Sequence, residues 1–174
     1  MADGTSSEAG SLRVMGVDTS LRSSGIGILD AAGSKMVPVH YGIIRNPPAR
    51  PLTQCLAFIQ SEIERLITTY TPSAVAIEGI FYAKNVKTML ILAHARGVVL
   101  AQCARHAIPV YEYEPRKVKL AVAGYGNAQK EQIQRMVKVL LHLEEEPQND
   151  ASDALALAIT HLHNRTGFTP STLL

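Results

Sequence analysis

The chain has 174 residues, 47% hydrophobic and 18% charged, and 17 Lys plus Arg against 15 Asp plus Glu leave a formal net charge of +2. That length fits one domain burying roughly two thirds of its unfolded surface, and the composition argues against disorder. Near-neutrality gives no sign of a histone-like or arm-type nucleic-acid binder. The two cysteines, Cys55 and Cys103, form no CxxC pair, which argues against a disulfide scaffold or a zinc site of the usual spacing. No apolar run approaches the roughly 20 residues of a membrane-spanning helix. MADGTSSEAGS has neither the basic nor the apolar region of a secretory signal. A reduced, cytoplasmic protein with no membrane association is expected.

Residues 1–11 carry too little apolar content to pack and are expected to be disordered, as is a flexible tail over 166–174. One domain over 12–165 lies between them. Leu12 to Val17 is a short apolar run ending at Asp18. Gly25 to Leu29 reads as a second strand, with Asp30-Ala31-Ala32-Gly33 as a turn, and a third runs from Lys35 to Ile44. Short turns between them suggest an antiparallel meander.

The period then changes. Leu52, Leu56, Ile59, Ile63, Leu66 and Ile67 mark one face of a helix that Thr71-Pro72 ends. Ala74 to Ile77 is a continuous apolar run, as in a central strand buried on both faces, and stops at Glu78. A helix from Asn85 to His106 is apolar almost all round and rich in small residues, so it is expected to be covered on two faces, one by a second subunit. Ile108 to Tyr111 is another strand. Helices follow over Pro115–Ala123, Ala128–Leu141 and Asp150–Asn164. The order predicts an α/β fold: a mixed sheet, antiparallel at one side and parallel at the other, flanked by helices.

Acids occur where a core does not need them. Asp18 and Glu78 end strands, and Asp150 and Asp153 open the last helix at i, i+3, on one face. Neighbouring strands pointing the same way would set Asp18 beside Glu78, and the final helix would bring the other two. Crowded carboxylates repel unless a cation offsets them. Oxygen ligands without a Cys or His cluster favour magnesium or manganese over zinc. Taken singly, each acid has a plainer reading: Asp150 as a helix N-cap, Asp18 and Glu78 as ordinary strand-terminal acids. Capping does not explain all four together. Glu144-Glu145-Glu146 reads as a solvated turn, and His161 and His163, two apart, lie on different helix faces.

At these residues the chain resembles the RuvC family of Holliday-junction resolvases, with a ribonuclease-H-like fold. The matching blocks run from Met15-Gly16-Val17-Asp18 through Ala76-Ile77-Glu78, Phe81 to Asn85, Ala95-Arg96-Gly97, Tyr113 to Lys119 and Gly124 to Lys130, to Pro147 to Ala156. The resemblance implies a magnesium-dependent endonuclease (Mn2+ able to substitute) that resolves four-way junction DNA by paired symmetric nicks in recombination and repair. It carries two metals per site on Asp18, Glu78, Asp150 and Asp153, and implies a homodimer working with a branch-migration motor of the RuvA and RuvB type. Phe81 matches the aromatic that stacks at the junction centre, with Tyr82 beside it. Lys84, Arg116, Lys119 and Lys130 match DNA contacts, while Lys87 and Lys117 read as ordinary surface lysines. Where the family usually has Pro-Gly after its first Asp, this chain has Thr19-Ser20, which is expected to deprive that turn of its easiest backbone conformation. Gly124-Tyr125-Gly126-Asn127 is not a dinucleotide fingerprint: Gln129 stands where the third glycine belongs, so it reads as a loop into a helix. Two competitors are a catalytically silent DNA-binding dimer and an actin-like phosphotransferase, and the length argues against the second.

Overall fold

Strand β1 (Leu12–Asp18) occupies the middle of a six-stranded sheet in a computed structural model, which describes residues 12–79, 85–164 and 172–174. Around it lie β2 (Ser23–Ala32), β3 (Lys35–Arg45), β4 (Ala74–Glu78), β5 (Val110–Tyr113) and β6 (Thr172–Leu173), in the order β3-β2-β1-β4-β5-β6. The first three pair antiparallel, and β1, β4 and β5 run parallel. The expected mixed sheet is present. Two differences stand out. β2 extends past the expected Gly25–Leu29 at both ends. Part of the C-terminal tail adds β6, antiparallel to β5, with the Leu174 N–H donating to the Val110 carbonyl at 3.0 Å.

Among the described residues the helices are α1 (Leu52–Tyr70), α2 (Val86–Arg105), α3 (Pro115–Ala123), α4 (Lys130–Leu140) and α5 (Asn149–Asn164). Alternation along the strands sorts side chains to two faces. Val14 of β1, Ala76 of β4 and Tyr113 of β5 point to a core shared with α3, α4 and α5. Met15 and Val17 of β1, Val75 and Ile77 of β4, and Val110 of β5 point to a core shared with α1 and α2. Parity therefore puts Asp18, four residues after Val14, and Glu78, two after Ala76, on the α5 side.

Helix α5 lies against β1 and β2 and is buried along almost all its length. Its approach rests on missing side chains. A Cβ on Gly16 would fall 1.9 Å from the Ala154 carbonyl oxygen, one on Gly25 1.8 Å from that of Asp150, and one on Gly27 2.7 Å from Leu155 N. Gly16 is the register partner of Gly27, and Gly25 that of Asp18, so the gap for the helix ends beside Asp18. Only glycine lets two backbones come this close.

By length and composition α2 is sufficient to cross a bilayer, which corrects the expectation that no apolar run is long enough. Its packing on α1 gives part of that apolar surface a core to fill. It also carries Arg96, only 6% exposed, in an ion pair with Glu112 of β5. Val86 and Leu90 remain 68% and 57% exposed.

Candidate active site

Strand pairing sets the acids side by side. Val14 to Val17 of β1 run parallel to Ala74 to Ile77 of β4 in register, and Asp18 and Glu78 are the next residues along. From α5, Asp150 and Asp153 arrive one helical turn apart. Carboxylate oxygens of Asp18, Asp150 and Asp153 all lie within 4.8 Å of one another. Asp18, Glu78 and Asp153 line a cleft of about 230 Å³, together with Pro115, Val118, Lys119, Lys130 and Ile133. All four acids are thus at one edge of the sheet: Asp18, Asp150 and Asp153 form a close cluster, and Glu78 lines the adjoining cleft with Asp18 and Asp153.

The electrostatics follow from that crowding. Loss of water and then the charges of Asp153, Glu78 and Asp150 push the Asp18 carboxyl up to about 7, against a partial offset from Lys130. Glu78 keeps an open edge at the mouth, yet protein on its other sides desolvates it and Asp153 repels it, so its pKa rises, with Lys130 and Lys119 opposing. Lys130 Nζ reaches Asp153 Oδ2 at 2.8 Å, and that bond raises the lysine's pKa. Two ammoniums do not offset four carboxylates. A hard cation would, and oxygen donors within 4.8 Å of one another are the donor set it takes.

Each acid has a structural reason for its place. Asp150 lies inside the first turn of α5 and accepts a short hydrogen bond from Ser23 Oγ at the start of β2, rather than acting as the N-cap. Ser23 was missed in the sequence, where one serine in a strand carries no signal. The turn after Asp18 also differs from expectation. Neither Thr19 nor Ser20 has a positive φ, so the turn needs no glycine. Ser24 closes it instead: its Oγ donates to the Ser20 carbonyl at 2.5 Å and accepts from the Ser20 N–H at 3.0 Å.

The basic residues divide. Lys119 lines the cleft and Lys130 sits at its rim on the first turn of α4, which the Gln132 side chain begins by accepting from the Gln129 N–H at 2.8 Å. Exposed Arg116 lies over Gly126, where a Cβ would meet its Cγ at 2.7 Å. Lys117 pairs with Glu114 at 3.1 Å, as an ordinary surface lysine would. Phe81, Tyr82 and Lys84 lie outside the described residues. Gly124, at φ 81°, is the left-handed C-cap of α3, which accounts for the first glycine of the loop. Tyr113 and His161 share a buried hydrogen bond at 2.7 Å, while His163 Nδ1 lies 3.2 Å from the Ala121 carbonyl, so the two histidines serve different contacts.

A mixed sheet of this topology, with acids gathered from two strand ends and the first turns of a covering helix, defines the ribonuclease-H-like class of nucleases. Residues 14–161 match the family model described as "Crossover junction endodeoxyribonuclease RuvC". The chain belongs to that family. Relatives of that name from Alkaliphilus oremlandii and Dehalococcoides mccartyi are 44% identical over 151 residues and 43% over 159. These alignments cover 86% and 91% of this chain and 92% and 95% of the relatives. The structure of T. thermophilus RuvC in complex with Holliday junction substrate superposes with a TM-score of 0.87 at 30% identity, covering 94% of this chain and 99% of that one. A yeast mitochondrial Holliday junction resolvase shares the fold, with a TM-score of 0.68 at 14% identity over 89% of this chain and 79% of its own.

Proposed function

We propose that this chain resolves four-way DNA junctions by paired, symmetric nicks in recombination and repair, acting in the cytoplasm with Mg2+ held by Asp18, Glu78, Asp150 and Asp153. The observation that carries the reading is the convergence of carboxylate oxygens of Asp18, Asp150 and Asp153 within 4.8 Å of one another, beside a cleft that Glu78 also lines. Four carboxylates, three clustered and the fourth on the adjoining cleft, support the two ions per site that the family resemblance implies, and Mn2+, with the same preference for oxygen, would substitute. When bound, such a pair supplies an activated water on one side of the phosphodiester and stabilisation of the leaving oxygen on the other.

The chain's own residues hold and orient the rest. Ser23 fixes the Asp150 carboxylate, and Lys130 fixes that of Asp153. Lys119 faces the cleft from α3, placed to steady the phosphate, and Arg116 and Lys130 extend a basic rim for the backbone. Phe81, in the segment between Glu78 and α2, is assigned to the junction centre with Tyr82 beside it, and Lys84 to a backbone phosphate.

Paired nicks on a two-fold substrate call for a homodimer. The seam we assign is α2: Leu90, Ala93, Gly97, Ala101 and Ala104 recur at three- and four-residue spacing and are exposed in the single chain. A Cβ on Gly97 would meet nothing within 4 Å among the described residues, so none of them accounts for that glycine, whereas close helix approach across a seam would. In the cell, a branch-migration motor of the RuvA and RuvB type would present the junction to this dimer.

The test is cleavage of a labelled four-way junction in Mg2+. Wild type is expected to nick two opposed strands, and Asp18→Asn and Asp150→Asn to bind without cutting. Variants that cut as well as wild type would overturn the metal-site assignment. Wild-type binding without nicking would instead identify a silent DNA-binding dimer.

A further inference from the structure

Glu78 is held from the side of the sheet opposite its carboxylate. Its side chain faces α5, while Arg96 of α2 reaches β4 from the other face. There the Arg96 Nη1 donates to the Glu78 main-chain carbonyl at 2.5 Å, and Nη2 forms a short ion pair with Glu112 of β5. Glu112 is the register partner of Ile77, one residue before Glu78. The guanidinium therefore bridges the ends of two adjacent strands at the point where β4 stops. Beyond it the Gly79 N–H donates to the Tyr113 carbonyl at 2.9 Å.

We propose that Arg96 is a positioning residue for Glu78, coupling α2 to the acidic centre through the β4 main chain. The inference rests on the assignment of Glu78 to the metal site. Two physical facts support it. A cation buried this deeply persists only where its partners are fixed, and a planar guanidinium serves two acceptors at fixed geometry as an ammonium does not. Arg96 is also followed by Gly97, the exposed small residue assigned to the seam, so one turn of α2 joins the dimer face to the Glu78 main chain.

The experiment measures Mn2+ affinity of the full-length dimer by calorimetry, and single-turnover cleavage of a saturating four-way junction across Mg2+ concentrations. The proteins are wild type, Arg96→Gln, Arg96→Lys, Glu78→Gln and Val99→Ala. Val99 is buried on the same helix and so reports a loss of packing alone. Arg96→Gln is expected to weaken Mn2+ binding and slow cleavage by roughly 10–100-fold, the usual cost of losing an outer-shell partner. Junction affinity should stay unchanged. Arg96→Lys, able to keep one bond of the two, should fall between Arg96→Gln and wild type, and Val99→Ala should bind Mn2+ as wild type does. Wild-type Mn2+ affinity and rate in a folded Arg96→Gln protein would overturn the proposal, as would equal losses in Val99→Ala. If Arg96→Gln does not fold, Arg96→Lys decides, and wild-type values there overturn it. Unimpaired Glu78→Gln would instead refute the assignment of Glu78 itself.

Discussion

The two faces of the sheet are built on different principles. On the α1–α2 face large aliphatic side chains fill the space: Met15, Ile26, Ile28, Ile59, Ile63, Leu66 and Ile77 are almost wholly buried. Here the helices meet the sheet chiefly through side chains, which can adjust to one another. On the α5 face Gly16, Gly25 and Gly27 remove the side chains beneath the helix, and its backbone descends onto the strands. Steric contact between main chains is stiffer than contact between side chains. The acids lie at the end of that stiff face, and a site needing carboxylates placed to a fraction of an ångström gains from it.

The largest effect should come from the acids themselves. Asp18→Asn is expected to lower junction cleavage by more than roughly 100-fold, the upper end of the cost of a lost outer-shell partner, with junction binding retained in a gel-shift assay. Gly25→Ala tests the stiffness directly. The new Cβ would fall 1.8 Å from the Asp150 carbonyl oxygen, so α5 must move. Denaturant unfolding should show a loss of about 3 kcal/mol, and cleavage should fall with it. Ile63→Val on the other face should cost about 1 kcal/mol and leave cleavage unchanged. Similar losses of activity in these two variants would erase the distinction between the faces.

The crowding has its own signature in pH. Folding raises the Asp18 pKa from its ordinary 3.8 to about 7, so between those values the folded chain holds a proton that the unfolded chain has released. Stability of the metal-free protein therefore falls as pH rises through that window, and the full penalty is present above about pH 7. Thermal melts of wild type without divalent cations should show this fall, and Asp18→Asn should flatten it. Added Mg2+ should raise the melting temperature more at pH 8 than at pH 5.5, because cations bind the deprotonated acids. The smallest effect expected is in DNA binding. Lys119→Ala should reduce the dependence of log affinity on log salt by about one, while Lys117→Ala, whose amine pairs with Glu114, should change it less.

The strands and helices came from hydrophobic period, and the period was correct wherever an element has one dry face. It erred at ends: β2 is longer than its apolar run because Ser23 and Ser24 belong to the ladder, and β6 has only two residues, too few for any pattern. The four acids stood out because they interrupt apolar runs at strand ends or share a helix face. Ser23, which secures Asp150, and Arg96, which grips the Glu78 carbonyl, did not stand out as partners, since both act on atoms remote in sequence. For the turn after Asp18, the departure from the family's usual Pro-Gly pointed to a turn deprived of its easiest backbone conformation. The structure instead closes it with Ser24, at ordinary φ.

By itself the sequence determined which residues are apolar, at what period, and where acids break that period. These are local quantities, read from neighbours along the chain. It also displayed Gly16, Gly25 and Gly27, but not what would lie over them. Only the tertiary structure decided that α5 covers those glycines, that β1 and β4 run parallel in register, and that one cleft therefore holds charge from residues 18, 78 and 153. The reason is distance. Charge and close packing act through space, over a few ångströms, between residues that lie far apart along the chain.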